Sequence, residues 1–454
     1  MKWCAYFPRG QPRRQTRCRV TLRVMGHRIQ NFDELAENEL RTDALAIAEA
    51  GYAAINTGEA IRRKVQITDD EMHIAGNLYP LAGRKVYFVG VGKCALDAAE
   101  AIETLLGDRL TGGIALDVAS RAPRHLKKIE TYIGTHPLPS EANVQATKRI
   151  MEFLTGRAEN DLVIMLISGG GSTLLCLHDA PMTCLDESTL WNELTAKGAT
   201  IQDINIVRKH ISRARGGALA RAAYPAEIVS LIVSDVPGND IEFIASGPSV
   251  RDSSTIADAR KVLETYGITA STHIDFIETP KEQKYFERVS NLLFVSNQDA
   301  LSAMQIEAEN RGYATTVVDD HFSGEARTIG RAVVEKLHDA PTKTALLYAG
   351  ESTVTLSADA GEGGRNQEMA LAALADVRPD ELILPFASDG HDNTDCAGAI
   401  ADEATRAHVF EHNLSMKEYL DAHRSYDFFQ TTGDALSTGY TGSNVSDLII
   451  ALKK

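Results

Sequence analysis

The chain predicts an α/β protein of two domains with largely parallel sheets. Three observations lead there. Short β-branched runs at 85–91, 113–118, 131–135, 161–168, 227–235, 291–297, 314–319, 343–349 and 381–388 alternate with helical stretches, the pattern of parallel strands covered on both faces. Several of these runs pass straight into glycine turns, and open α/β sheets bind ligands outside the carboxyl ends of their strands. A length of 454 residues exceeds what one core holds.

The polar segment 269–290 has no apolar periodicity and contains Pro280, so it is the expected linker between domains at 31–275 and 285–454. Residues 1–30 are expected to be a disordered extension. The first 24 carry Lys2 and six arginines without an acid, and no apolar h-region follows as a secretory signal would need. From 32 to 64, Leu35, Leu40, Ala44, Ile47, Ala48 and Ile55 recur at helical spacing.

A net charge of −15 excludes a general nucleic-acid or membrane-surface binder, and no apolar run approaches the ~20 residues of a membrane helix. The expected partner is a small molecule, and an anionic one needs a local cationic pocket. Six cysteines with no C-x-x-C pair suit a reducing, cytoplasmic setting.

The turns carry the chemistry. In "VGVGKCALDAAEA" (89–101), Gly90, Gly92 and Ala95 fit the G-x-G-x-x-A turn of a dinucleotide site, with Asp117 at the next strand end available to a ribose hydroxyl. Lys93 inside that turn points instead to an isolated anion. In "DLVIMLISGGGSTLLC" (161–176), Ser168, Gly169, Gly170, Gly171 and Ser172 let backbone amides approach an anion closely; a tight structural turn is the alternative. In "LIVSDVPGNDIEFIASGP" (231–248), Asp235 ends a strand where a metal or a hydroxyl would be bound, whereas Asp240 reads equally as a turn aspartate.

"NIVRKHISRARGG" (205–217) gathers Arg208, Lys209, His210, Arg213 and Arg215, as an anion site or a solvated basic face. "GEGGRNQEMALAALA" (361–375) puts Arg365 at a helix N-terminus, where a cation is unfavourable unless it grips an anion. "ASDGHDNTDCAG" (387–398) crowds Asp389, Asp392 and Asp395 into a loop able to hold Mg²⁺ through waters or to make Asx turns. The loop "TGYTGSNVSDL" (438–448) could reach a ligand or simply turn. Phosphoryl transfer uses all these parts, as backbone cradles, cations on developing charge, and carboxylates for metal or proton. Hydride transfer uses only the first.

In order, "VGVGKCA", "THPLPSEAN", "LISGGGST", "VRKHISRARGG", "SDVPGNDIEFIASGPS", "GGRNQEMAL" and "SDGHDNTDCAGA" resemble the glycerate 2-kinase family, whose C-terminal half is the MOFRL domain. The resemblance runs from about residue 33 to the C-terminus. It implies two α/β domains with the active site in the cleft between them, and transfer of the γ-phosphate of ATP to the 2-hydroxyl of D-glycerate with Mg²⁺. Lys93 matches the family's active-site lysine, and Arg365 the arginine facing it. Cys94, Asn239 and Arg215 depart from the pattern, standing where an alanine, an acid and a lysine are expected.

The expected catalytic set is Lys93, Asp235 and Arg365, with the two cations on the substrate carboxylate and the transferred phosphoryl group. ATP is expected on Gly90, Gly92, Ser168, Gly169, Gly170, Gly171, Ser172 and Asn366. Mg²⁺ is expected on Asp235, Asp240 and Asp389. A homodimer is left open. Some members of the family carry the name hydroxypyruvate reductase, so an NAD(P)-dependent reductase is the alternative.

Overall fold

Asn38 opens the first long helix by accepting from the Arg41 amide, and Glu39–Ile55 runs from there to Asn56. Asn56 both ends that helix and caps the next, Thr57–Lys64, through the Glu59 amide. This is the helical stretch expected over 32–64. It is seen in a computed structural model that describes residues 27–118, 124–235, 237–268, 274–356 and 359–454. A small antiparallel sheet without counterpart in the sequence expectations follows, of β1 (Val65–Ile67), β2 (Glu71–Ile74) and β3 (Asn77–Pro80).

The first large sheet holds β4 (Val86–Val91), β5 (Leu110–Val118), β6 (Ile129–Gly134), β7 (Leu162–Ile167), β8 (Glu227–Val233) and β9 (Val289–Val295), in the order β6-β5-β4-β7-β8-β9 and parallel throughout. Counted from β4 this is 3-2-1-4-5-6, the doubly wound order, with its topological switch between β4 and β7. Every residue of β4 and β7 is buried, as strands covered on both faces require.

The second sheet holds β10 (Ala314–Glu325), β11 (Thr344–Thr353), β12 (Glu381–Ala387), the two-residue strands β13 (Gly398–Ala399), β14 (Ala401–Asp402) and β15 (Ala435–Leu436), and β16 (Asp447–Lys453). β10 and β11 pair in parallel. The C-terminal strand β16 then enters antiparallel between β11 and β12. The α/β class with two helix-covered sheets holds; β16 makes the second sheet mixed.

The expected domain limits shift at both ends. β9 pairs with β8, so the first sheet reaches residue 295 rather than ending near 275, and the polar stretch before β9 is a return loop of the first domain. Residues 269–273 lie outside the described residues. Helix Glu39–Ile55 packs on the second domain. Fully buried Arg41 pairs with Asp402 and Asp434, both at 2.7 Å, Tyr52 Oη donates to the Ala387 carbonyl, and at Gly51 a Cβ would lie 2.9 Å from Met304 Sδ. Of the expected extension, residues 1–26 lie outside the described residues, but Ile29 is fully buried and the Gln30 amide donates to the Ser437 carbonyl. One continuous apolar cluster joins Phe88 and Leu166 of the first sheet to Leu347, Leu382 and Ile450 of the second. Among the described residues no helix is long and apolar enough to cross a membrane.

Candidate active site

The switch point brings two glycine turns together. β4 delivers Lys93 and β7 delivers Ser168–Ser172, and the Lys93 amide donates to the Gly169 carbonyl at 3.0 Å. Only glycine fits at position 92, where φ is +121° and a Cβ would collide with Ser168 Oγ. The other amides of the first turn are also taken. Gly92 donates to Leu116 O, Cys94 to Ser168 Oγ, and Leu96 to the Asp117 carboxylate at 2.9 Å. Asp117 therefore occupies the helix N-terminus where a pyrophosphate would sit.

That geometry corrects three expectations. Gly90 is buried in β4 and lets Phe88 and Ala95 close against it. Gly92 and Ser168 lock the two turns to each other. None of the three faces the cleft, and the amides expected to cradle a dinucleotide serve the fold. Sequence spacing could not distinguish a turn closed by its own neighbour from one open to a ligand.

The side chain of Lys93 points across the domain boundary. Its Nζ lies 3.3 Å from Asp389 Oδ2, at the end of β12. The two residues line a polar cavity of about 220 Å³ together with Asp235, Glu351, Arg365 and Asn444. Asp235 follows β8 and accepts from Asn444 Nδ2 at 3.2 Å. Burial pushes its carboxyl up to about 6, against the opposing pull of Lys93. Gly169 passes so close that a Cβ would fall 1.9 Å from Asp235 Oδ2. The amides of Gly169 and Gly170 have no acceptor among the described residues.

Arg365 begins helix Arg365–Leu374 as expected, but the helix N-terminus is not free. Asp392 caps it, accepting from the Asn366 amide at 3.0 Å and the Gln367 amide at 2.8 Å. The guanidinium pairs with Asp447 through Nε at 2.5 Å and with Glu351 through Nη1 at 2.6 Å. These tertiary carboxylates offset the unfavourable dipole. Asn366, expected on ATP, is fully buried and donates to Asp392; it shapes the loop instead. Asp395 is exposed beside Cys396.

A second cavity, of about 330 Å³, adjoins the first on the N-terminal domain and is lined by Gly169, Gly170, Ser172, Arg208, Asp235 and Asp240, among others. Gly171 is pressed against Ala245, with room for no Cβ. Ser172 Oγ lies 2.8 Å from Ser246 Oγ. Asp240 is exposed, and its Oδ1 accepts from the Glu242 amide, the turn role that its surroundings allowed.

The basic run 205–217 is neither a solvated face nor an exposed anion patch. Arg208 and Arg215 are buried on the same carboxylate, Glu187. His136, Glu351, Asn444 and Asp447 were missed as functional candidates. Partial desolvation, then the charges of Lys93 and Arg208, lower His136 to about 4 although the residue stays exposed at the surface. Its one signal was its place in the quoted stretch "THPLPSEAN"; Asn444 and Asp447 lie in the loop 438–448 that was read as able to reach a ligand, and Glu351 sits in a stretch whose spacing matches no ligand motif.

The carboxylates offer hard oxygen donors from two sides, Asp235 and Asp389 beside Lys93, which suits Mg²⁺ held by one or two carboxylates and by substrate phosphates. Among the described residues, the three-residue groups within metal-ligating reach of one another, such as Cys176, His178 and Glu187, do not include these aspartates.

Comparison with known proteins supplies the family. Residues 43–277 match the domain of unknown function DUF4147, and residues 344–447 match the MOFRL family. The chain is 34% identical over 435 residues to the glycerate 2-kinase of Pyrococcus horikoshii, covering 91% of this chain and 97% of that protein. A relative from Agrobacterium vitis with the provisional name hydroxypyruvate reductase is 35% identical over 400 residues, 85% of this chain and 91% of its own. The crystal structure of glycerate kinase from Thermotoga maritima superposes with a TM-score of 0.81 at 32% identity, covering 91% of this chain and 99% of that one. Two matched domains, relatives spanning almost the whole length and a shared fold place this chain in the glycerate 2-kinase family.

Proposed function

We propose that this protein is an ATP-dependent glycerate 2-kinase, which transfers the γ-phosphoryl group of ATP to the 2-hydroxyl of D-glycerate. The observation that carries the proposal is the meeting of Lys93 from one domain with Asp389 from the other, in a cavity that Asp235 and Arg365 also line. Phosphoryl transfer needs positioning and charge stabilisation more than covalent chemistry, and this cavity supplies both.

Lys93 offers three donors on a compact charge to the transferred oxygens. Arg365, held rigid by Asp447 and Glu351, adds positive charge from the opposite domain. The unpaired amides of Gly169 and Gly170 lie beside them as further donors. Asp235 accepts the proton of the attacking hydroxyl, since a base near 6 is partly matched to neutral pH. Mg²⁺ would be held by Asp389 together with substrate phosphate oxygens and would neutralise phosphate charge, which leaves Asp235 as the base. Closure of the two domains on the cavity excludes water and limits ATP hydrolysis.

The reductase reading loses its cofactor turn, because Asp117 and neighbouring carbonyls occupy the amides it would use. Incubation with D-glycerate, ATP and Mg²⁺, followed by ³¹P NMR, tests the proposal, with hydroxypyruvate and NAD(P)H in a parallel reaction. A 2-phosphoglycerate resonance without nicotinamide oxidation is expected. Oxidation without phosphorylation would overturn the proposal.

A further inference from the structure

Three cavities lie in a row through the cleft. Asp235 lines both the N-terminal cavity and the central one that holds Lys93. Arg365 and Asn393 line both the central cavity and a third, of about 280 Å³, on the C-terminal domain. The third has the apolar side chains Val354 and Leu356 and the edge Gly361–Gly363–Gly364, which suits a flat base. The central one is walled almost wholly by charged and amide groups. The N-terminal cavity is then the end left for the phosphoryl acceptor, which moves Ser172 from its expected place on ATP to the acceptor end, with Asp235 at the junction where the hydroxyl must react.

Arg208 stands in the wall of that cavity and is only 7% exposed. Its guanidinium lies 4.0 Å over the Trp191 ring, and Nε is 3.2 Å from Glu187 Oε1. Neither terminal nitrogen has an acceptor among the described residues. Glu187 is shared: Arg215 Nη2 lies 2.9 Å from it and His178 Nε2 2.9 Å. Glu187 is one carboxylate against two guanidiniums, and of the two only Arg208 lines the cavity, facing the carboxylates of Asp235 and Asp240 there. Burial pushes Arg208 down to about 10, with Glu187 opposing, so it keeps its charge at neutral pH. A desolvated charge without a full partner is costly, and an entering anion relieves that cost.

We infer that Arg208 receives the carboxylate of the hydroxy-acid acceptor, and that Glu187 and Trp191 position it. The inference rests on the kinase reading above and assigns its acceptor end. The planar fork, ion-paired with Glu187 and covered on one face by Trp191, leaves its two terminal nitrogens as a pair, the geometry a carboxylate matches bidentately. With the carboxylate there, Lys93 and Arg365 are left for the phosphoryl group. Arg208 thus selects an acid over a neutral polyol of the same length.

The test is steady-state kinetics with D-glycerate and ATP varied separately, in wild type, Arg208→Gln and Arg208→Lys, with glycerol as the carboxylate-free acceptor. In Arg208→Gln the KM for D-glycerate is expected to rise roughly 10- to 100-fold, the loss of a charge-assisted pair. The KM for ATP should stay within about threefold, and the preference for D-glycerate over glycerol should fall with the acceptor KM. Arg208→Lys keeps charge without the fork and should fall between. A raised KM for ATP with an unchanged acceptor KM would put the arginine on phosphate and overturn the inference; unchanged constants would reduce it to scaffolding.

Hydrogen exchange on the wild type gives an arm that needs no variant. D-glycerate alone should slow exchange over 201–212, and slowing by ATP alone at that helix would overturn the assignment. Wild type that phosphorylates no hydroxy acid would sink the kinase reading itself, which the variants cannot do.

Discussion

Lys93 Nζ lies 3.3 Å from Asp389 Oδ2, a contact between the end of β4 in one domain and the end of β12 in the other. The ammonium has three donors and spends one on Asp389, so an arriving phosphoryl oxygen can be bound without breaking the interdomain contact. The backbone of Lys93 is fixed too, since Tyr440 Oη donates to its carbonyl at 2.7 Å.

Lys93→Ala is expected to lower kcat at least about 100-fold, the loss of a donor aimed at developing charge and worth about 3 kcal/mol. Its thermal unfolding midpoint should stay near wild type, because the pair with Asp389 is partly exposed and contributes about 1 kcal/mol or less. Wild-type turnover in this variant would remove Lys93 from the mechanism.

Asp235 sets a pH dependence with a definite sign. Its folded-state value is raised from 3.8 to about 6, so kcat/KM for the acceptor should fall about tenfold per pH unit below 6. The same shift costs stability when the group ionises. The cost is absent below about pH 4, grows as pH rises through 6, and persists above. Asp235→Asn should therefore be inactive yet more stable than wild type at pH 8, by about 1–2 kcal/mol after allowing for partial exposure, and equal to it near pH 4. Unfolding curves at the two pH values check this.

The kinase reading gives Arg365 a structural and a catalytic part, which a double variant separates. Arg365→Ala leaves Asp447 buried without its bidentate partner, so chemical denaturation should show a loss of about 2–4 kcal/mol. Adding Asp447→Asn removes the orphaned charge and should recover most of that stability without recovering turnover. Recovered turnover would make Arg365 purely structural.

Arg41 pins the first long helix to the second domain through Asp402 and Asp434, all three buried. Arg41→Ala leaves two carboxylates facing each other without a cation, and unfolding in urea should show a loss of about 3–5 kcal/mol. A change under 1 kcal/mol would mean that the helix is held by its apolar face alone.

Much of the candidate site was legible because strand ends are legible. Lys93, Gly169, Asp235, Asp389 and Arg365 each follow an apolar run or a glycine turn, and parallel strands deliver the residues after them to one edge of a sheet. Gly90, Gly92, Ser168 and Asn366 follow the same rule and yet face inward. Whether a turn amide meets a ligand or a neighbouring carbonyl depends on the partner strand, which a local pattern does not contain.

The sequence by itself determined the α/β class, nine of the strands and most of the charged residues that meet in the candidate site, since periodicity and turn chemistry act over a few residues. Only the tertiary structure decided the rest. It inserted β16 antiparallel between β11 and β12, returned β9 to the first sheet, and laid the first long helix on the second domain. It also buried Arg208 and Arg215 on one carboxylate and brought Lys93 against Asp389, residues 296 positions apart. These are long-range pairings, fixed by which faces are left to bury and which charges are left to pair once the local elements have formed.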